Sequence, residues 1–309
     1  MRKKWILATL GLATVCCSLY GQDNFSDVGQ ETLPLQQEAL EGKPYQVQAF
    51  YDYIGKAKID EDDFSEGRVG FREGEIEGSM VVYYQPCFEE VINVSLGYIN
   101  TDLDWSENPW FDQNIFDTLN LSVGGITKRV DNWLWQAQLS ANFDIKHFDF
   151  SDYVTYDLLL WGRYDWCSNF GVHFGFLAQT GMRVDRVYPI IGFDWQYDCN
   201  WKFNVIFPMN ISAVYTVNEN WNVLVGTRFF DSRHRAGPDE VLPRAIFTYR
   251  SVGLEGGVNY VWEEWLKANV HAGYIVDAEL KIADRQYHHR HHYALDGSGY
   301  VGGEVTVSF

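Results

Sequence analysis

The stretch Trp133-Leu134-Trp135-Gln136-Ala137-Gln138-Leu139-Ser140-Ala141-Asn142-Phe143-Asp144-Ile145 decides the fold class. Its odd positions are all apolar, while Gln136, Gln138, Ser140, Asn142 and Asp144 occupy the even ones. A helix would spread both sets around its circumference; a strand, with period two, sorts them onto opposite faces. The segment from Phe170 repeats this, with Phe170, Val172, Phe174, Phe176 and Ala178 set against Gly171, His173 and Gly175. So does Leu266 to Val276, where Lys267, Asn269, His271 and Gly273 form the second face. The last segment does the same: Val301, Gly303, Val305, Val307 and Phe309 alternate with Gly302, Glu304, Thr306 and Ser308.

Such strands suit a soluble sandwich or a barrel with lipid outside and water within. Composition separates the two. The 309 residues carry 24 Lys+Arg against 42 Asp+Glu, a net charge of −18, with 17% aromatics and 27 Gly. A mean hydropathy of −0.25 excludes a bundle of membrane helices, each of which needs about 20 apolar residues. Alternating strands, by contrast, average out in such an index. The acidic excess excludes a nucleic-acid partner, because phosphates call for clustered Lys and Arg. Ahead of the alternation, Arg2, Lys3 and Lys4 precede an apolar run from Trp5 to Val15 and small residues up to Gly21. That succession is an export signal, with cleavage expected after Gly21 and Ser18 as the alternative. Val15 before Cys16 does not suit lipid modification. Residues 1–21 therefore read as a signal peptide, 22–44 as a periplasmic N-terminal segment, and 45–309 as a β-barrel of the cell outer membrane, in contact with its lipid. A final strand closing on an aromatic residue, here Phe309, is similar to the assembly signal of bacterial outer-membrane barrels.

Alternation places strands near 45–59, 74–85, 90–100, 117–128, 132–145, 153–164, 169–179, 187–197, 201–207, 210–217, 221–230, 248–260, 264–276 and 299–309. The fold expected is an all-β, antiparallel, up-and-down transmembrane barrel of 14 strands, with 12 as the alternative. Short connections at 86–89, 129–131, 165–168, 198–200, 218–220 and 261–263 interleave with long ones near 60–73, 101–116, 146–152, 180–186, 231–247 and 277–298. Bacterial barrels have short periplasmic turns and longer outer loops; only Pro208-Met209 is tight where a long loop is due. Trp133, Trp166, Trp201, Trp221, Trp262 and Trp265 all lie beside short connections. An indole prefers the interface, where its body meets lipid and its N–H meets water, so one rim should carry an aromatic girdle.

The polar face supplies lumen candidates of both signs. Lys56, Lys58, Arg163, His173, Arg228, Lys267 and His271 provide cations or imidazoles; Glu75, Glu77, Asp144, Asp157, Asp194, Glu255 and Glu304 provide carboxylates. In an open pore they set selectivity; in a filled barrel they pair with one another. His147, His173 and His271 lack a Ser in matching register, so no catalytic, cofactor or metal residue is assigned, and an enzyme is not expected. The outer stretch Tyr287-His288-His289-Arg290-His291-His292-Tyr293 has no regular ligand spacing and reads as a solvated, pH-responsive loop. Outside the signal, the cysteines are Cys87, Cys167 and Cys199, all in short connections. In an oxidising compartment they point to an internal Cys167–Cys199 bond or to disulfide links with other envelope proteins.

From Val187 to Phe230 the motifs become more specific. Tyr188-Pro189-Ile190-Ile191-Gly192-Phe193-Asp194-Trp195 leads to Asn204-Val205-Ile206-Phe207-Pro208 and then Asn218-Glu219-Asn220-Trp221. This resembles a family of uncharacterised exported outer-membrane barrel proteins of bacteria. Tyr249-Arg250 and the Gly-rich strand to Tyr260 fit the same pattern. The acidic, cysteine-bearing chain also resembles envelope proteins of chlamydia-like bacteria. Both resemblances imply the barrel and its membrane, and neither implies an activity. The function expected is a pore or passive uptake channel for small solutes. The alternative is a structural or surface-interaction barrel, closed inside, acting through loops such as Asp104-Trp105-Ser106-Glu107-Asn108-Pro109-Trp110-Phe111.

Overall fold

A computed structural model describes residues 43–60, 67–147, 149–263 and 265–309. The expected signal peptide (1–21) and all but the end of the expected 22–44 segment lie outside the described residues. The strands are β1 (Tyr45–Lys58), β2 (Arg68–Gln85), β3 (Glu90–Trp105), β4 (Ile115–Thr127), β5 (Trp133–Asp144), β6 (Val154–Cys167), β7 (Phe170–Gly181), β8 (Arg186–Gln196), β9 (Trp201–Phe207), β10 (Asn210–Thr216), β11 (Trp221–Arg235), β12 (Ile246–Trp262), β13 (Leu266–Ala283), β14 (His291–Leu295) and β15 (Gly299–Ser308).

From β1 to β14 each strand pairs antiparallel with its sequence neighbour, and β1 closes the ring on β15 from Gln46↔Ser308 to Ile54↔Tyr300. β14 and β15 lie along the same edge of β13, β14 against Ala278–Ile282 and β15 against Leu266–Tyr274. They are two segments of one wall strand, so the barrel has 14 walls. Over the length that β9 and β10 span, closure leaves no sheet edge facing lipid, which is the condition for crossing a bilayer with strands.

The outward face carries the lipid contact. Ile76, Leu96, Val123, Leu139, Leu158, Ile191, Val225, Leu254, Val270 and Val301, on walls around the ring, are all exposed. The expected girdle is present at the short-turn rim. Trp133 stacks on Trp135 at 5.1 Å, Trp201 packs on Tyr215 at 4.9 Å, Trp221 on Tyr260 at 4.6 Å and Trp262 on Trp265 at 5.6 Å. Tyr45 and Phe309 stack at 5.8 Å at the same rim, where their backbones exchange hydrogen bonds.

Several outer segments differ from their sequence reading. The expected loop 231–247 is shorter, 236–245, since β11 runs on to Arg235 and β12 begins at Ile246. Likewise β13 continues to Ala283, and β14 lies inside the expected loop 277–298. A bulge between Ile54 and Ala57 reverses the facing of β1, so Lys56 and Lys58 are exposed on the outside and not in the lumen. Lys56 pairs there with Asp104 at 2.8 Å.

The largest departure follows from two short strands. β9 and β10 have seven residues each, against eleven in β8 and fifteen in β11. Pairing of β8 with β9 ends at Ile191↔Phe207, and that of β10 with β11 ends at Ile211↔Thr227. Above those rungs Arg186–Ile190 and Arg228–Arg235 have no strand between them. The outer half of β11 loses its neighbour there, and the β11–β12 hairpin, with β12 still paired to β13 out to Ile246↔Ala283, turns inward across the lumen. β11 and β4 stand on opposite sides of the ring, yet the rings of His234 and Phe116 are 5.0 Å apart. A barrel of this strand number is roughly 25–30 Å across. Phe247 lies 5.7 Å from Phe111, Tyr249 stacks on Phe71 at 4.5 Å, and Leu242 N–H donates to the Trp110 carbonyl at 2.8 Å. The crossing buries an apolar core inside the outer half, including Ile54, Phe71, Leu103, Phe116, Phe247 and Leu280.

The lipid-facing assignment predicts a depth-dependent penalty. Leu96, exposed at the middle of β3, should tolerate Ala but lose about 2–4 kcal/mol as Leu96→Arg, while the lumen-facing Asn120→Arg should cost far less. Equilibrium urea unfolding from lipid vesicles measures both.

Candidate functional site

The lumen is the site, and its inner part is built from charges that strand alternation turns inward. On β6, β7 and β8, Arg163 forks onto Asp194, Nε to Oδ1 at 2.7 Å and Nη2 to Oδ2 at 3.0 Å. His173 Nε2 lies 2.6 Å from the same Oδ1, and Asp165 also contacts Arg163. The indole of Trp161 stacks on His173 at 5.2 Å. A bidentate guanidinium–carboxylate pair with a third partner fixes all three side chains.

A second network spans the seam where the first and last strands meet. Arg228 of β11 donates to Glu255 of β12 at 2.8 Å and to Asp52 of β1 at 3.4 Å. His271 of β13 bonds Asp52 through Nε2 at 2.7 Å and Asn269 through Nδ1 at 2.6 Å. Tyr300 of β15 donates to Glu255 at 3.0 Å, and Gln48 of β1 to Glu304 at 3.1 Å. β15 lies between β1 and β13, so Asp52 and His271 reach one another across Gly302, their common partner in register. A Cβ at Gly302 would stand 1.7 Å from Asp52 Oδ1 and 2.4 Å from His271 Nε2. Gly171 serves Arg163 and Asp194 in the same way, at 2.6 Å and 2.7 Å. Glycine is required at both positions because the charge pairs pass directly over the backbone.

These networks border a chamber of ≈ 850 Å³ that reaches the inner rim at Glu89 and Lys128. Polar side chains from opposite walls line it, among them Gln48, Asn204, Ser212, Asn222, Asn259 and Thr306. Between the crossing hairpin and the β2–β7 wall lies a second cavity of ≈ 150 Å³, lined by Glu73, Glu75, Glu77, Asn120, Gln138 and Arg233.

The sequence-derived lumen residues thus fall into separate groups. Arg163, His173 and Asp194 come together, as do Arg228, Glu255 and His271. Glu75, Glu77, Asp144 and Asp157 line the smaller cavity, and Lys267 and Glu304 the larger. Asp144 accepts from the backbone N–H groups of Lys146 and His147 at 2.8 Å and 2.7 Å. Asp52 was legible as the polar residue between Tyr51 and Tyr53, but only its pairing gives it weight. Ser232 and His234, 2.8 Å apart, are a Ser–His contact that periodicity did not find. His234 is buried beneath the rings of Phe116 and Phe247, and no carboxylate among the described residues bonds it.

The loops turn inward. Phe111 is 1% exposed, Trp105 packs edge-on to Tyr293 at 5.6 Å and Trp110 Nε1 donates to Tyr293 at 2.9 Å, so the aromatic side chains of 104–111 pack into the mouth while Ser106, Glu107 and Pro109 stay exposed. In the His-rich stretch, His289 hydrogen-bonds Asp284 at 2.8 Å and His291 packs on Trp110 at 4.3 Å. The His289 imidazole, with two backbone N–H donors, holds the Asp284 carboxyl below the usual range. Among the described residues no group of three or more His, Cys, Asp or Glu is arranged to hold a metal ion. Cys87, Cys167 and Cys199 are exposed free thiols at the inner rim, with no Cys167–Cys199 bond; Cys167 is the last residue of β6 and not part of a turn.

The chain is 21% identical over 300 residues to an uncharacterised protein of Chlamydia pneumoniae, covering 91% of this chain and 93% of that one. It is 23% identical over 199 residues to an uncharacterised protein of Chlamydia muridarum (strain MoPn / Nigg), covering 64% of this chain and 63% of the other. Among solved structures, an outer-membrane channel of Pseudomonas putida F1 aligns with a TM-score of 0.49 at 8% identity, over 86% of this chain and 96% of that one. No family model matches the chain.

The seam network yields a coupled prediction. Asp52→Ala removes one partner of a buried cluster and should cost about 3–5 kcal/mol. Gly302→Ala pushes the same pair apart and should cost a comparable amount. Because both act on one contact, the double substitution should cost little more than either alone, which a double-mutant cycle in urea unfolding reads directly. The chain is an outer-membrane β-barrel similar in sequence to uncharacterised chlamydial proteins.

Proposed function

We propose that the barrel is a channel for small polar solutes, seen with its outer mouth closed by the β11–β12 hairpin. The observation that carries this reading is the ≈ 850 Å³ polar chamber reaching the inner rim. A barrel that serves only as a wall fills its interior with side chains. Here the charged residues pair along the wall, Arg163 with Asp194 and Arg228 with Glu255, and leave space beside them. Passage then requires the hairpin to withdraw from the β1–β4 wall. Its tip is held by Leu242 on Trp110, by Gly237 N–H on Gln113 at 3.0 Å, and by Arg244 on Asp152 at 2.6 Å.

A second reading, a structural barrel with a permanently closed lumen, is favoured by the apolar core under that hairpin. Under either reading, export uses the signal at 1–21, and the three exposed inner-rim thiols support disulfide links to other envelope proteins. Non-reducing electrophoresis of membranes prepared with a thiol blocker should show Cys87-, Cys167- or Cys199-dependent complexes; monomer with all three thiols labelled contradicts this.

Conductance separates the two readings. The refolded chain in a planar bilayer should show discrete openings. With Cys87, Cys167 and Cys199 changed to Ser, the pair Trp110→Cys and Leu242→Cys should abolish openings when oxidised and restore them on reduction. A wild-type chain with no conductance above background removes the channel reading and leaves the structural one.

A further inference from the structure

Arg233 is the exception among the lumen's arginines. Arg163 and Arg228 are paired with carboxylates, and Arg235, 0% exposed, donates to the carbonyls of Arg244 and Arg285 at 3.3 Å each. Arg233 is 5% exposed, and its Nε, Nη1 and Nη2 have no hydrogen-bond partner. The nearest acid in sequence, Asp231, is engaged elsewhere, with Arg250 at 3.2 Å and Arg186 at 3.5 Å. A guanidinium does not shed its proton in a protein, so burial cannot neutralise it as it would a lysine. An ionised group taken from water without a partner is among the costliest features a fold can carry. The side chain lines the ≈ 150 Å³ cavity between hairpin and wall, so whatever compensates it sits there.

The rest of the cavity narrows the chemistry. A guanidinium fork matches a planar carboxylate or a phosphate. Glu73, Glu75 and Glu77 of β2 and Asp157 of β6 line the same space, and they oppose a multiply charged anion while favouring a cation. Amides and hydroxyls of Asn120, Gln138 and Thr118 provide neutral contacts between. The volume corresponds to about five waters at ~30 Å³ each, the scale of a very small solute. We infer that Arg233 and the acidic wall form a subsite for a small zwitterion, an α-amino acid, with its carboxylate on the guanidinium and its ammonium toward the β2 carboxylates. The inference deepens the channel reading, on which it rests for the solute's route to the cavity.

Calorimetric titration of the refolded full chain in detergent tests it, with glycine and L-alanine as probes and acetate, methylammonium and inorganic phosphate as controls. The amino acids should bind, and each half-ligand and phosphate should bind at least tenfold more weakly. Arg233→Gln should lower amino-acid affinity at least tenfold, and Arg233→Lys should recover part of it. Without ligand, Arg233→Gln should melt no lower than wild type, because it removes an uncompensated charge, and it should lose the ligand-induced rise in Tm. Glu75→Gln, which leaves the guanidinium untouched, should weaken glycine without weakening acetate. The inference is overturned if the wild-type chain binds no amino acid, if phosphate binds as well, if both variants bind as wild type, or if Arg233→Gln melts markedly lower without ligand. Bilayer conductance run in parallel keeps the two claims apart. Conductance without amino-acid binding overturns the subsite and leaves the channel; binding without conductance overturns the channel and leaves the subsite.

Discussion

The shortness of β9 and β10 governs the outer half of this molecule. A sheet closes into a barrel only while each strand has a neighbour on both sides, and these two stop at Phe207 and Asn210 while β8 and β11 continue outward. The upper part of β11 therefore loses its wall partner and keeps only β12. Turning inward lets the hairpin bury Phe247 and Tyr249 against β2 and β4, and Phe230 against Tyr300 of β15, while keeping its own ladder intact from Trp221↔Tyr260 to Arg235↔Ile246. The closed mouth, the apolar core beneath it and the small cavity beside it all follow from that change of course.

The inner half is organised by a different device, charge pairs carried over glycine. Neighbouring strands lie about 4.8 Å apart, so residues two strands away are normally out of hydrogen-bond reach. Gly302 and Gly171 remove the intervening side chain, and Asp52–His271 and Arg163–Asp194 span the gap at 2.7 Å each. The first of these ties the opening strand of the barrel to its closing strands, so the ring is locked at its seam by a lumen contact as well as by the backbone ladder. Charges held flat against the wall also leave the ≈ 850 Å³ chamber clear of them.

Legibility in the sequence followed the environment of each strand. Where one face meets lipid and the other water, as from Trp133 to Asp144, alternation was complete and the strand was placed within a residue or two. Asp231-Ser232-Arg233-His234-Arg235 is buried on both faces, with polar groups on each, so periodicity vanished and the stretch read as a loop. Arg233 was missed for that reason, and no local pattern would have found it. Lys56 and Lys58 were misplaced because a single bulge after Ile54 shifts every later residue to the other face. The pairing of Asp52 with His271, 219 positions away, is a property of ring closure that composition and spacing do not encode.

The central claim is that a polar chamber opens to the inner rim and is shut from the outside by the crossing hairpin. Accessibility of a single thiol tests this most directly. With the three native cysteines changed to Ser, Ser212→Cys places a thiol on the chamber wall, and a charged, membrane-impermeant thiol reagent can be applied from either side of oriented membranes. The account predicts labelling at least tenfold faster from the inner side. Equal rates from both sides, or faster labelling from outside, would contradict it.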